Sequence, residues 1–346
     1  MATFKTLDQQ LYEACEAGEA EEVKQLLTHP IIHPNCETNA QTPFWIACCN
    51  GRTEVVKVLL SDERVLVNKA NYRRQTPFWI ACRNRGIEVA KLLLNDERVG
   101  LHKADKENDT TPFWISCQNG LTEVVRLLLN DEKIDVNKVD KENGTPLYTA
   151  CFEGHIEIVK LLLNDERVDI NKANSNDQTP FWIACYRRHI EIVKLLLSDE
   201  RIDINKKNQE KLKQNGNVYV FSISQQTNIG TPFLLACRNE VIEIIQYILA
   251  SGREVDINEK DNEGNTAISL VRRQIERIEQ QQQQRRMFGS DPALLEALKK
   301  KQIEIIEFLE SFEKNPTETR TIFRNQLGLP GKIYFPYFFF FTNLNI

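Results

Sequence analysis

Hydrophobic residues recur along this chain at two length scales. Within a stretch such as His155-Ile156-Glu157-Ile158-Val159-Lys160-Leu161-Leu162-Leu163 they fall at the i, i+3, i+4 spacing that gives a helix one apolar face. Over longer distances whole runs return. The pattern Thr-Pro-Phe-Trp-Ile-Ala-Cys, or a close variant, starts at Thr42, Thr76, Thr111, Thr179 and Thr231, reads Thr145-Pro146-Leu147-Tyr148 in another copy, and survives in worn form at Thr266. The spacings are 34, 35, 34, 34, 52 and 35 residues. A period of this size predicts stacked units that bury their apolar faces against neighbours and not within themselves.

Each unit predicts two helices. Thr can cap a helix and Pro fits its first turn, where a missing N–H costs nothing, so Thr-Pro opens helix A. A break near Gly51, Gly120, Gly154 or Arg188 ends it, and the amphipathic second segment is helix B. A polar Asp-Glu-Arg or Asp-Glu-Lys turn comes next, then an extended piece such as Val168-Asp169-Ile170-Asn171-Lys172 leads to the next Thr-Pro.

With threonine, proline, alanine-cysteine, a glycine-histidine break and a valine-asparagine segment in this order, the unit resembles the ankyrin repeat. The resemblance runs from about residue 8 to 313 and implies an all-α solenoid of helix-turn-helix units joined by short β-hairpin loops. Eight units are expected. Residues 1–41 form an N-terminal capping unit around Leu11-Tyr12-Glu13-Ala14-Cys15, 42–265 hold six repeats, and 266–314 form a degenerate last unit whose Ile303-Glu304-Ile305-Ile306 stretch resembles helix B. Residues 315–346 are read as a tail. Two departures matter. The family's motif histidine is replaced by Trp45, Trp79, Trp114, Tyr148, Trp182 and Leu234, so packing is expected to stand in for the imidazole's hydrogen bond. The hairpin glycine is replaced by Ala40, Arg74, Asn143 and Asp177, of which Asn and Asp tolerate left-handed backbone best, so the hairpins at Ala40 and Arg74 are in question.

The long spacing holds about 18 extra residues at about 207–229, where Lys211 to Gln214 and Asn217 to Ser224 flank Asn215-Gly216 and predict a hairpin finger. Gln280 to Gln284 form a low-complexity stretch, either an extended helix or disordered. After Leu329-Pro330 the composition turns abruptly aromatic; covering an open end of the array, stickiness and a translated intron all fit such a tail.

Charge and cysteine content narrow the function. Against 44 basic side chains stand 49 acidic ones, a net charge of -5 that disfavours a dedicated nucleic-acid binder. No run approaches a membrane span and no signal sequence is apparent, so a cytoplasmic location is expected, with the nucleus as the alternative. Cys15, Cys48, Cys82, Cys117, Cys151, Cys185 and Cys237 recur at one point of the unit and read as small packing residues; only Cys36 and Cys49 fall outside the series. His155 and His189 sit where the family keeps a structural histidine, His102 is isolated, and prolines interrupt the His29 to Cys36 run. No cofactor, metal or catalytic set is expected. The Asp-Glu-Arg or Asp-Glu-Lys triplets at Asp62, Asp96, Asp131, Asp165 and Asp199 read as solvated loops, each with its own cation.

The informative face lies elsewhere. The resemblance places the motif tryptophans, and the residues one turn later, on the concave groove, pairing Trp79 with Arg83, Trp114 with Gln118, Tyr148 with Phe152, Trp182 with Tyr186 and Leu234 with Arg238. Two readings stay open: rings that pack between repeats, or an exposed aromatic ladder edged by arginine. The second makes Arg73, Arg74, Trp79, Arg83, Trp114, Phe152, Trp182, Tyr186, Arg187 and Arg238 a partner-binding groove with the composition of interface hot spots. The expected function is a monomeric, non-enzymatic scaffold or adaptor that binds a protein partner, with an acidic segment as the candidate contact; single-stranded nucleic acid stacked on the same residues is the alternative.

Overall fold

The computed structural model describes residues 5–208, 230–285 and 292–329. The expected hairpin finger and the aromatic tail lie outside the described residues. Among those described, the chain forms seventeen helices and no strand. It divides between Ser175 and Asn176 into two compact blocks. The first block holds five helix pairs: α1 (Leu7–Ala17) with α2 (Ala20–Leu27), α3 (Pro43–Cys49) with α4 (Thr53–Leu60), α5 (Pro77–Arg83) with α6 (Ile87–Leu94), α7 (Pro112–Asn119) with α8 (Thr122–Leu129), and α9 (Pro146–Glu153) with α10 (Ile156–Leu163). The second holds α11 (Pro180–Arg187) with α12 (Ile190–Ser198), α13 (Pro232–Arg238) with α14 (Ile242–Ala250), then α15 (Ala267–Arg285), α16 (Pro292–Lys314) and α17 (Pro316–Gln326).

Helix A starts where the sequence says it should. The Oγ1 of Thr42, Thr76, Thr111 and Thr179 each accepts the backbone N–H of the tryptophan three residues on at 3.1 Å, and Thr145 does the same for Tyr148 at 3.0 Å. Each such cap contributes about 1 kcal/mol. Helix B has no side-chain cap at its start, so it depends on packing of one face, as with the buried Val124, Val125 and Leu128 of α8.

The hairpin loops keep their geometry without glycine. Ala40 and Arg74 adopt φ of 59° and 62°, as Asn143 and Asp177 do at 58° and 56°. At the first loop Asn39 also has positive φ, and Thr38 and Gln41 exchange two backbone hydrogen bonds at 3.0 Å. Elsewhere the polar residue opening the loop compensates. Asn71 Oδ1 accepts from the backbone of Arg73 and Gln75, and the Asp105 carboxylate from Glu107, Asn108 and Thr110. Successive loops are then tied together, Lys106 N–H to Arg73 C=O at 2.8 Å and Lys141 N–H to Asn108 C=O at 2.9 Å.

The Asp-Glu-Arg triplets are more than solvated loops. Asp62, Asp96 and Asp165 each accept the backbone N–H of the arginine two residues on and pair with its guanidinium at 2.6 Å. The same guanidinium reaches back one pair to the end of the preceding helix B: Arg64 to Leu27 C=O at 2.9 Å, Arg98 to Leu60 C=O at 2.7 Å, Arg167 to Leu129 C=O at 2.9 Å. The asparagines Asn68 and Asn137, which close the extended pieces after α4 and α8, reach the other way. Asn68 donates to Arg98 C=O and accepts from Gly100 N–H, and Asn137 does so with Arg167 and Asp169. Both devices satisfy helix-terminal and loop groups that would otherwise lack partners, and both set the register between pairs.

At the far end α15 runs as helix through Gln280 to Gln284 and packs on α16. The packed region extends past residue 314: α17 lies against α14 and α16, with Arg324 donating to Ala250 C=O and Arg320 to Arg253 C=O. Helix α17, within residues the sequence reading assigns to a tail, thus packs against α14 and α16.

Two measurements test this geometry. Ala40→Gly creates the Asn-Gly pair favoured when both central turn residues have positive φ, and should stabilise the protein by about 0.5–1 kcal/mol in urea unfolding. The arginine hydrogen bonds hold the carboxyls of Asp62, Asp96 and Asp165 below their ordinary value of 3.8. A depressed folded value stabilises above the unfolded one and is lost as pH falls through the folded one, so the contribution disappears on acidification below about pH 4. The thermal midpoint of Asp62→Asn, Asp96→Asn, Asp165→Asn should start lower at neutral pH and vary less than wild type between about pH 5 and 3.

Candidate partner-binding surface

The tryptophans expected to line a groove are buried. Trp79 is 1% exposed, Trp114 7% and Trp182 0%. They do not present an open aromatic ladder, and rings so covered offer no face on which a base could stack. Their polar ends face inward as well. The indole Nε1 of Trp45 donates to Gln75 C=O, that of Trp79 to Thr110 C=O, and that of Trp114 to Gly144 C=O, each at 2.8 Å. In every case the acceptor immediately precedes the next unit's capping threonine. The hydrogen bond expected to be lost with the family's histidine is therefore made by the indole. Trp182 Nε1 is buried with no partner among the described residues.

What remains at the surface is mostly arginine. Arg73, Arg74, Arg83 and Arg187 are exposed, while Phe152, Tyr186 and Arg238 are half-buried. Arg83 lies over the Trp79 ring, 5.5 Å from its centroid, so the buried indole supports a solvent-facing cation. Arg73 lies over Tyr72 at 5.3 Å and pairs with Glu107 at 3.2 Å, which neutralises part of its charge. Arg74 and Arg83 have no ion-pair partner among the described residues. In the second block Tyr186 stacks on Trp182 with centroids 5.3 Å apart and planes 9° from parallel.

Sequence reasoning missed two residues here. Tyr72 is 63% exposed at a loop tip. Arg85 is also exposed and occupies the helix-break position at φ 60°, where Gly120 and Gly154 stand in later units; that substitution was the available signal. The histidine readings place differently. His155 is structural, its Nε2 lying 2.9 Å from Gln118 C=O. His102 stands 3.9 Å from Asp131 Oδ2. The recurring thiols are buried, and burial pushes Cys82 up to about 12, far from a reactive thiolate. Among the described residues no cluster of potential ligands could hold a metal.

A family model described as ankyrin repeats matches in three overlapping copies, at residues 11–103, 97–174 and 113–208. The chain belongs to the ankyrin-repeat family. No curated protein matches it. Among solved structures it is similar to a chain in the complex of the predatory endopeptidase Bd0816 of Bdellovibrio bacteriovorus with immunity protein Bd3460, at 24% identity and a TM-score of 0.50, covering 55% of this chain and 97% of that one. It is also similar to the ankyrin repeat domain of Bcl-3, a member of the IkappaB protein family, at 21% identity and a TM-score of 0.53, covering 68% and 97%. At these identities the likeness speaks for the fold alone.

Ankyrin repeats generally mediate protein–protein interaction, and no described helix of this ankyrin-repeat protein is long and apolar enough to cross a membrane. Its tryptophans hold the array together. Trp79→Phe keeps a ring but removes the donor to Thr110, and should cost on the order of 1–2 kcal/mol in urea unfolding. Trp182→Phe makes a similar volume change without losing a described bond, so its cost should be smaller; equal losses would show that the indole bond contributes nothing.

Proposed function

We propose that this ankyrin-repeat protein is a non-enzymatic adaptor that binds a protein partner through the arginines along its loop tips and helix A ends. In the first block the surface comprises Arg74 and Arg83, with Arg73 and Arg85 beside them. The second block carries a surface of its own, with Tyr186, Arg187 and Arg238. The observation that carries the reading is the exposed Arg83 resting on a buried, hydrogen-bonded Trp79. Such an arginine is held in place before binding, so little side-chain entropy is lost when a partner's carboxylate meets it. Guanidinium groups at Arg74 and Arg83 with no ion-pair partner among the described residues favour an acidic segment as the partner's contact. Arg and Tyr are also the residue types that dominate binding energy at interfaces. Burial of the tryptophan rings counts against the single-stranded nucleic-acid alternative, as does the net charge of -5.

The test uses the full chain as bait, with affinity then measured for the captured protein at two salt concentrations. Arg74→Glu with Arg83→Glu, and separately Tyr186→Ala with Arg187→Ala, should each weaken binding by about tenfold or more while the circular dichroism spectrum is unchanged. Unchanged affinity in both double variants rejects this surface. Retention of RNA or DNA that disappears steeply with salt replaces the reading with the nucleic-acid one.

A further inference from the structure

The lateral connections between neighbouring pairs in the first block are not uniform, and the exception concerns two devices at once. Between α2 and α4, α4 and α6, and α8 and α10, an arginine reaches back to the last carbonyls of the preceding helix B, and an asparagine brackets the backbone of the next loop. Between α6 and α8 both are missing. The arginine position holds Lys133, whose ammonium has no partner among the described residues. The asparagine position holds His102, whose lateral polar approach among the described residues is to Asp131 at 3.9 Å, beyond hydrogen-bond length. The other edge of the same seam is intact. Trp79 still bonds Thr110, Lys106 N–H still bonds Arg73 C=O, and Asn119 Nδ2 donates to the carbonyls of Cys82 and Arg83 at 3.0 and 2.8 Å.

We propose that the seam between the α5–α6 and α7–α8 pairs is a hinge, fastened on the loop and helix A side and free to part on the helix B side. The physical reason is the difference between the side chains substituted. A guanidinium can bind its aspartate and a distant carbonyl together through its fork of donors, whereas an ammonium on a shorter reach cannot do both. An imidazole likewise cannot supply the amide's adjacent donor and acceptor to one strand of backbone. With these contacts gone, the long His102–Asp131 approach is the side-chain polar contact left at that edge among the described residues, and opening there becomes the cheapest local opening in the block. Parting about one edge alters the angle between the loop tips of Arg73 and Arg74 and those of the later pairs, so the hinge sets how a surface on this block can adapt. The inference stands on the clamps alone and does not rest on the proposed partner.

The buried cysteines provide the readout. Cys82 lies at this seam, in hydrogen-bonding contact with Ser116 of α7, while Cys48 and Cys117 hold the equivalent place at the seams on either side. Burial keeps all three unreactive until a seam opens. Timed alkylation of the full native chain, read by peptide mass spectrometry, should label Cys82 about tenfold faster than Cys48 and Cys117. His102→Asn with Lys133→Arg rebuilds both clamps, and should bring Cys82 down to the rate of its neighbours. Asn68→His with Arg98→Lys transplants the gap, and should raise Cys48 above Cys117. Equal rates at the three cysteines in the wild type, or an excess at Cys82 that survives the rebuilding of the clamps, overturns the hinge; the first double variant decides even where the transplant fails to fold.

Discussion

A helix pair of this protein has no core of its own. Phe78, Ala81 and Cys82 of α5 are buried because α3 lies on one side and α7 on the other, and the same holds for Phe44 and Phe113 in their neighbours. Apolar burial supplies the drive, but it is indifferent to a small sliding of one pair along the next. Something directional has to fix the register. Here that is a set of hydrogen bonds from side chains of one unit to backbone of another: indole to the carbonyl before the next cap, arginine to the end of the previous helix B, asparagine to the next loop. Each is modest, yet each repeats, and stability in such an array is close to a sum over units and their interfaces.

This division of labour explains the loops. A carboxylate or amide at the start of the loops at Asn71, Asp105 and Asp140 absorbs two or three backbone N–H groups, which lets Arg74 and Asn143 take left-handed backbone without glycine. The strain is local and is offset by bonds made within a few residues. The linking bonds between successive loops then need no strand, which is why the expected hairpins produce only an isolated bridge at Thr38 and Gln41 among the described residues.

Period, helix starts and the packing role of the recurring cysteines were legible in the sequence because each depends on residues close together in the chain. The Thr-Pro signal gives the cap, and the cap bond spans only three residues. The fate of Trp79 was not legible. Whether its ring faces solvent or a neighbour depends on where Thr110 C=O sits, 31 residues away, and that is set by stacking. Arg98 misleads for the same reason: its aspartate is two residues distant and visible, while Leu60 C=O is 38 residues back. The helix α17 reads as tail because its sequence, Pro316 to Gln326, belongs to no repeat; the arginines that dock it, Arg320 and Arg324, find their carbonyl partners 67 and 74 residues upstream.

The same distinction separates the two kinds of arginine in this protein. Arg64, Arg98 and Arg167 are held by an aspartate and a helix end, so their charge is committed inside the array and a partner would have to break those bonds to use it. Arg74 and Arg83 carry no such obligation. Arg83 is positioned by a ring face, an interaction that orients the guanidinium while leaving its N–H donors open. A cation already oriented and incompletely paired loses little on meeting a carboxylate, whereas one locked in an internal ion pair must first be released. Position in the repeat, more than residue type, therefore decides which charges this surface can offer.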